Sequence, residues 1–125
     1  MADDGERSVE VRDLSKRFGD FAAVDRISFD VRRGEVLGVV GESGSGKSTI
    51  GRSLLRLVPV TAGQVCFDGI DVTALHPREL TALRRRMQFI FQDPFASLNP
   101  RMTVYDTLAE PMLLHGVAGR STVAE

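Results

Sequence analysis

Hydrophobic and polar residues alternate at two places near the start of the chain. Val9 and Val11 are interleaved with Glu10 and Arg12, and Ile27, Phe29 and Val31 with Ser28, Asp30 and Arg32. A period of two puts the apolar side chains on one face, so both segments predict half-buried strands of an antiparallel sheet. Between them, Lys16 to Phe21 reads as a turn carrying two aromatic residues. Beyond the turn at Arg33-Gly34 the pattern changes. Val36 to Val40 is an unbroken apolar run, which predicts a strand covered on both faces. Ile50, Leu54 and Leu57 then recur at helical spacing, and Pro59 and Gly63 stop that helix. Gln64 to Phe67 predict a strand closed by a turn at Asp68-Gly69. Pro77 suits the first turn of a helix with Leu80 and Leu83 facing inward, ended by Arg84-Arg85-Arg86. Met87 to Phe91 predict a further apolar strand, followed by turn formers from Asp93 to Pro100. Thr103 and Asp106 form a capping pair for a helix burying Val104, Leu108 and Met112. Pro111 should kink or shorten that helix, Gly116 should end it, and Ser121 should cap another.

The chemistry concentrates between the apolar run Val36 to Val40 and the first helix. Gly41-Glu42-Ser43-Gly44-Ser45-Gly46-Lys47-Ser48-Thr49 has a glycine, four residues, then Gly-Lys-Ser, placed between a strand and a helix. A polyphosphate needs many donors close together and no side chains blocking its approach. Glycines at 41, 44 and 46 let successive backbone N–H groups curl into an anion-binding nest, and the helix dipole adds to it. Lys47 would reach the β and γ phosphates, Ser48 would place its hydroxyl on Mg²⁺, and Thr49 would donate to the α-phosphate of a nucleotide. A flexible Gly/Ser loop with an exposed lysine is the plainer alternative, but the flanking strand and helix patterns favour the phosphate loop.

Composition narrows the setting. The chain has 125 residues, 42% hydrophobic and 26% charged, ordinary for one folded domain. Its formal net charge of -1 gives no electrostatic case for nucleic acid or an anionic membrane. The one cysteine, Cys66, allows no intrachain disulfide, lies in an apolar triplet as an inert core thiol would, and suits a reducing compartment. No apolar stretch approaches the ~20 residues needed to cross a bilayer, and the acidic stretch Ala2 to Glu6 is unlike a signal peptide, so a cytoplasmic location is expected. The three arginines at 84 to 86 fit solvated cations complementing a helix dipole better than a nucleic-acid contact.

These signals in one order resemble the ATP-binding subunit of an ABC transporter, closest to the peptide and nickel importer branch. The residues carrying the resemblance are Leu14 to Gly19, Ala23-Val24-Asp25, Gly34 to Gly38, the loop Gly41 to Thr49, and Phe91 to Val104 with its Phe-Gln-Asp-Pro and Ser-Leu-Asn-Pro-Arg-Met stretches. The resemblance implies an α/β fold: a P-loop NTPase core with an antiparallel β subdomain, truncated before the helical subdomain is complete. It divides residues 1–125 into an antiparallel, adenine-stacking region (9–35), a core from the loop-bearing strand to the Q-loop (36–92) and the start of a helical subdomain (93–125). It makes Phe18 the aromatic that stacks on adenine, where the family more often has tyrosine; the structural alternative is that Phe18 or Phe21 packs under the turn. It makes Gln92 the Q-loop glutamine, contacting Mg²⁺ and orienting the attacking water; otherwise Gln92 is an ordinary polar residue at a strand end. Lys47 and Gln92 are thus the candidate catalytic residues, and Ser48 and Gln92 the candidate metal contacts. Phe18, Gly41, Ser43, Gly44, Ser45, Gly46, Lys47, Ser48 and Thr49 are the candidate nucleotide-binding set. Phe95 and Leu98 either face a partner or are core.

Phosphoryl transfer also needs an oriented nucleophile and further metal contacts. The sequence has no strand ending in Asp-Glu, no Leu-Ser-Gly-Gly-Gln signature and no histidine switch, and His76 and His115 read as surface residues. The resemblance therefore implies the N-terminal half of an ATPase subunit, peripheral on the inner membrane face, with transmembrane permease subunits and a second ATP-binding subunit as partners and no nucleic acid. Such a half leaves Val36 to Val40 without covering neighbours, so the segment is expected to be marginal and partly molten. Two other functions stay open: a soluble P-loop kinase, which leaves Gln92 to Val104 unexplained, and a regulatory module that binds nucleotide without hydrolysing it.

Overall fold

The computed structural model describes residues 6–93, 95–119 and 122. It divides into two units, Met1–Leu80 and Thr81–Glu125.

In the first unit a four-stranded antiparallel sheet runs in the order β2-β1-β3-β4, formed by β1 (Arg7–Phe18), β2 (Phe21–Arg32), β3 (Ala62–Phe67) and β4 (Ile70–Asp71). Val11, Leu14, Val24, Val65 and Val72 are buried in its core. Of the residues in the two alternating segments only Val11 is fully buried, while Val9, Ile27, Phe29 and Val31 are half-buried. The first two strands are much longer than the alternating segments. The expected turn from Lys16 to Phe21 shrinks to Gly19-Asp20, with Phe18 paired to Phe21 at the hairpin end. The β1–β2 ladder stays in register only by slipping at several points, and Asp13 and Arg26 take positive φ there. Such bulges strand backbone donors inside a ladder. Hydroxyls take them up: Ser28 Oγ accepts from the Asp13 amide at 2.9 Å, Ser15 Oγ from that of Arg26 at 2.9 Å, and Thr61 Oγ1 from that of Arg17 at 2.9 Å.

Asp68-Gly69 closes β3 onto β4 as the sequence predicts, both residues having positive φ as a two-residue type I′ hairpin requires. A single 3₁₀ turn follows at Val72–Ala74, capped by the Asp71 carboxylate, which accepts from Thr73 N at 2.9 Å. Burial raises the Asp71 pKa, but hydrogen bonds from Thr73 and Gln64 outweigh this and leave it below the ordinary aspartate value.

The helix after the loop, α1 (Lys47–Leu54), is one turn shorter than the spacing of Ile50, Leu54 and Leu57 predicts. Leu57 lies beyond it. The amides of Leu57 and Arg56 bond back to the carbonyls of Arg52 and Ser53 at 2.8 and 3.0 Å, a Schellman ending in which Arg56 holds the left-handed position. The helix α2 (Pro77–Arg84) starts at its proline and buries Leu80 and Leu83 as expected.

Two predicted strands are not formed. Val36 to Val40 and Met87 to Phe91 are both without regular structure and pair with no strand among the described residues. A covered apolar strand exists only where neighbours present their own N–H and C=O groups. The described sheet is antiparallel and lies elsewhere. Within the second unit, Phe89 and Phe91 meet edge to face, ring centroids 4.8 Å apart. The last helix, α3 (Val104–Leu114), begins with the predicted Thr103–Asp106 cap, the Asp106 amide donating to Thr103 Oγ1 at 3.0 Å. Pro111 neither ends nor shortens it. The proline costs one ladder bond, to the Thr107 carbonyl, and the helix continues to a Schellman ending at Gly116. Val104, Leu108 and Met112, expected inside, are exposed at 77%, 65% and 41%. Ser121 lies outside the described residues.

Candidate functional site: a glycine-rich loop on an antiparallel hairpin

The loop from Gly41 to Gly46 turns sharply, Ser45 N bonding to Glu42 O at 3.1 Å, and delivers the chain into α1. The Lys47 ammonium lies in the bend. It donates to the carbonyl of Gly41, to that of Glu42 at 2.6 Å and to Ser45 Oγ at 3.2 Å. A Cβ at Gly41 would stand 2.6 Å from Ser45 Oγ and 3.8 Å from Lys47 Nζ, so a side chain there would fill the bend beside the ammonium.

Helix α1 starts from Gly46 at φ 97 with no side-chain cap. Among the described residues no acceptor takes the amides of Lys47, Ser48 or Thr49. The loop thus combines three first-turn donors, the positive end of a helix dipole and a lysine ammonium, a set that fits a phosphate chain. Ser48 is exposed in that first turn and Thr49 half-buried, its carbonyl accepting from buried Ser53 Oγ at 2.7 Å. Ser43 and Gly44 are exposed at the loop tip.

The sequence did not disclose what supports the loop. A Cβ at Gly46 would collide with the Ala23 carbonyl and lie 3.7 Å from Val24 Cγ2. The loop's last residue therefore rests directly on β2, which only a glycine permits. Val24 is paired with Lys16 and Ala22 with Arg17, so the loop seats two ladder steps from Phe18. Phe18, the last residue of β1, is 51% exposed, and the Lys16 ammonium stands 4.9 Å from its ring centroid. The hairpin brings the aromatic and the loop into one unit.

Gln92 belongs to the second unit, exposed just past Phe91, and is not at the end of a strand. The Asp93 carboxylate next to it accepts from the amides of Phe95 and Ala96 at 2.9 and 3.3 Å, an Asx turn that leads into a segment with exposed Phe95 and Leu98. His76 is exposed and His115 half-buried. Among the described residues no cluster of histidine, cysteine and carboxylate side chains is built to hold a metal. Cys66, expected as a core thiol, is only half-buried. Burial, then the carboxylates of Asp71 and Glu10, push its thiol above its ordinary pKa, which disfavours the reactive thiolate. No described helix is long and apolar enough to cross a membrane.

An antiparallel sheet supporting a glycine-rich loop and helix is also found in ABC transporter cassettes, and solved cassettes superpose on it. The dimeric bacterial ABC transporter cassette MJ0796 matches with a TM-score of 0.74 and 28% identity, over 86% of this chain and 47% of that one. A post-hydrolysis form of MJ0796 bound to ADP and Pi matches with a TM-score of 0.75. The ABC transporter family model matches residues 24–124, and the chain belongs to that family. A putative peptide import ATP-binding protein of Brucella ovis is 54% identical over 117 residues, 90% of this chain and 37% of the relative. The glutathione import ATP-binding protein GsiA of Escherichia coli O157:H7 is 48% identical over 133 residues, 97% of this chain and 21% of the relative. The chain thus spans well under half the length of these relatives.

Proposed function

We propose that the chain is the ATP-binding front of an ABC importer ATPase that powers uptake of peptides or similarly small solutes such as glutathione. The observation that carries this reading is the bend around Lys47: an ammonium gathered by loop carbonyls beside three unclaimed amides at a helix start. Mg-ATP would trade the loop carbonyls for β- and γ-phosphate oxygens as partners of Lys47. The amides of Lys47, Ser48 and Thr49 would hold the phosphates, assisted by Ser43, Gly44, Ser45 and Gly46 and by the room kept at Gly41. Ser48 and Gln92 would supply neutral oxygens to Mg²⁺, which usually keeps several waters and takes its charge compensation from substrate phosphates, so a carboxylate-poor set suits it. Phe18 would stack on adenine, and Gln92 would orient the attacking water.

Hydrolysis in this reading also draws on a downstream half and on a second ATP-binding subunit. Permease subunits would hold the protein against the inner face of the membrane. The soluble-kinase reading gives no role to Gln92–Val104, and both relatives named above are import ATP-binding proteins. A non-hydrolysing regulatory module would bind through the same loop and differ only in turnover.

Calorimetry of the intact protein with Mg-ATP tests the assignment. Lys47→Ala removes the only side-chain cation placed on the terminal phosphates and should abolish measurable binding. Undiminished affinity in that variant would count against the loop.

A further inference from the structure

Lys16 is buried, only 9% exposed, yet its ammonium forms no ion pair or hydrogen bond among the described residues. No fully buried side-chain nitrogen there lacks a partner, so the Lys16 ammonium keeps some access to solvent, as a lysine whose stem lies along apolar surface can. There it stands 4.9 Å from the Phe18 ring centroid. The two-residue repeat of β1 puts both side chains on one face of the strand. The stem is rooted opposite Val24, the residue beside which Gly46 of the loop packs.

We propose that Lys16 is a positioning residue for the nucleobase, its ammonium capping one face of the Phe18 ring so that the other face is held ready for adenine. The inference rests on the stacking role of Phe18. A half-exposed phenylalanine at a hairpin tip is free to turn about its side-chain torsions, and a base that stacks on it must first stop that motion. A cation over one face supplies the restraint in advance, and by drawing π density toward itself it makes the far face a better platform for an electron-rich purine. Because Lys16 and the loop share the Val24 position, the platform keeps a set distance from the phosphate cradle.

The test compares Mg-ATP with Mg-tripolyphosphate, which lacks a base, by calorimetry on the intact protein. Lys16→Met keeps the stem and removes the charge. It should weaken ATP binding about two- to six-fold, the range of an exposed cation–π contact. It should leave tripolyphosphate affinity unchanged, add nothing in a Phe18→Ala background, and be rescued by Lys16→Arg. If the methionine variant fails to fold, Lys16→Gln must show the same ATP-selective loss. Unchanged ATP affinity, or an equal loss for tripolyphosphate, would overturn the proposal; the second result would mean that Lys16 attracts phosphate. If Phe18→Ala itself leaves ATP affinity unchanged, stacking fails and this inference with it. A loss in Phe18→Ala with none in Lys16→Met refutes the role of Lys16 alone.

Discussion

Arg56 holds φ at 52, a left-handed conformation that a residue with a Cβ adopts at a cost, in the place where helices commonly put glycine. The compensation lies in its side chain. Its Nη1 donates to the carbonyls of Val72 at 3.0 Å and Leu75 at 2.7 Å, tying the end of α1 to the segment after β4. Arg56→Ala keeps the strained backbone and frees two acceptors, so it should destabilise the protein by about 1–3 kcal/mol in denaturant unfolding. A change near zero would show that solvent replaces the guanidinium. Nothing in the local sequence Leu54-Leu55-Arg56-Leu57 distinguishes this arginine from a solvated one, because its partners are 16 and 19 residues away.

At the scale of elements, the hairpin β1–β2 was legible only as two short alternating segments. Its full length depends on bulges whose stranded amides are met by Ser15, Ser28 and Thr61, and a bulge breaks the period of two that identifies a strand. Gly63 in β3 answers the bulge at Asp13. It has φ 94, and a Cβ there would strike the backbone oxygens of Asp13 and Arg12. Gly63→Ala should cost more than about 1 kcal/mol, since it meets both a clash and a forbidden φ. A melting temperature equal to that of the unsubstituted protein would show that β1 can shift away. By contrast, the Asp68-Gly69 turn, the Thr103–Asp106 cap and the Gly116 ending were readable, because each is decided by residues within five positions of one another.

At the scale of the whole molecule, the apolar run before the loop is the unresolved demand. Val36 and Val40 are 94% and 97% exposed, although their composition suits a strand covered on both faces. In hydrogen exchange on the 125-residue chain, the amides of Val36 to Val40 should exchange almost unprotected while those of β1 around Val11 are slow. Slow exchange throughout Val36 to Val40 would show that a neighbouring strand is supplied after all. The glycine-rich loop and the helix that follows it could be read from the sequence alone because glycine spacing, backbone donors and one lysine are local facts. So was the family, since its motifs are contiguous stretches. Only the tertiary structure decided that the loop rests on β2 at Ala23, that Lys16 covers a face of Phe18 and that two apolar runs stay unpaired. Each of these depends on which distant strand happens to supply a carbonyl, a ring or an edge, and the sequence does not state that pairing.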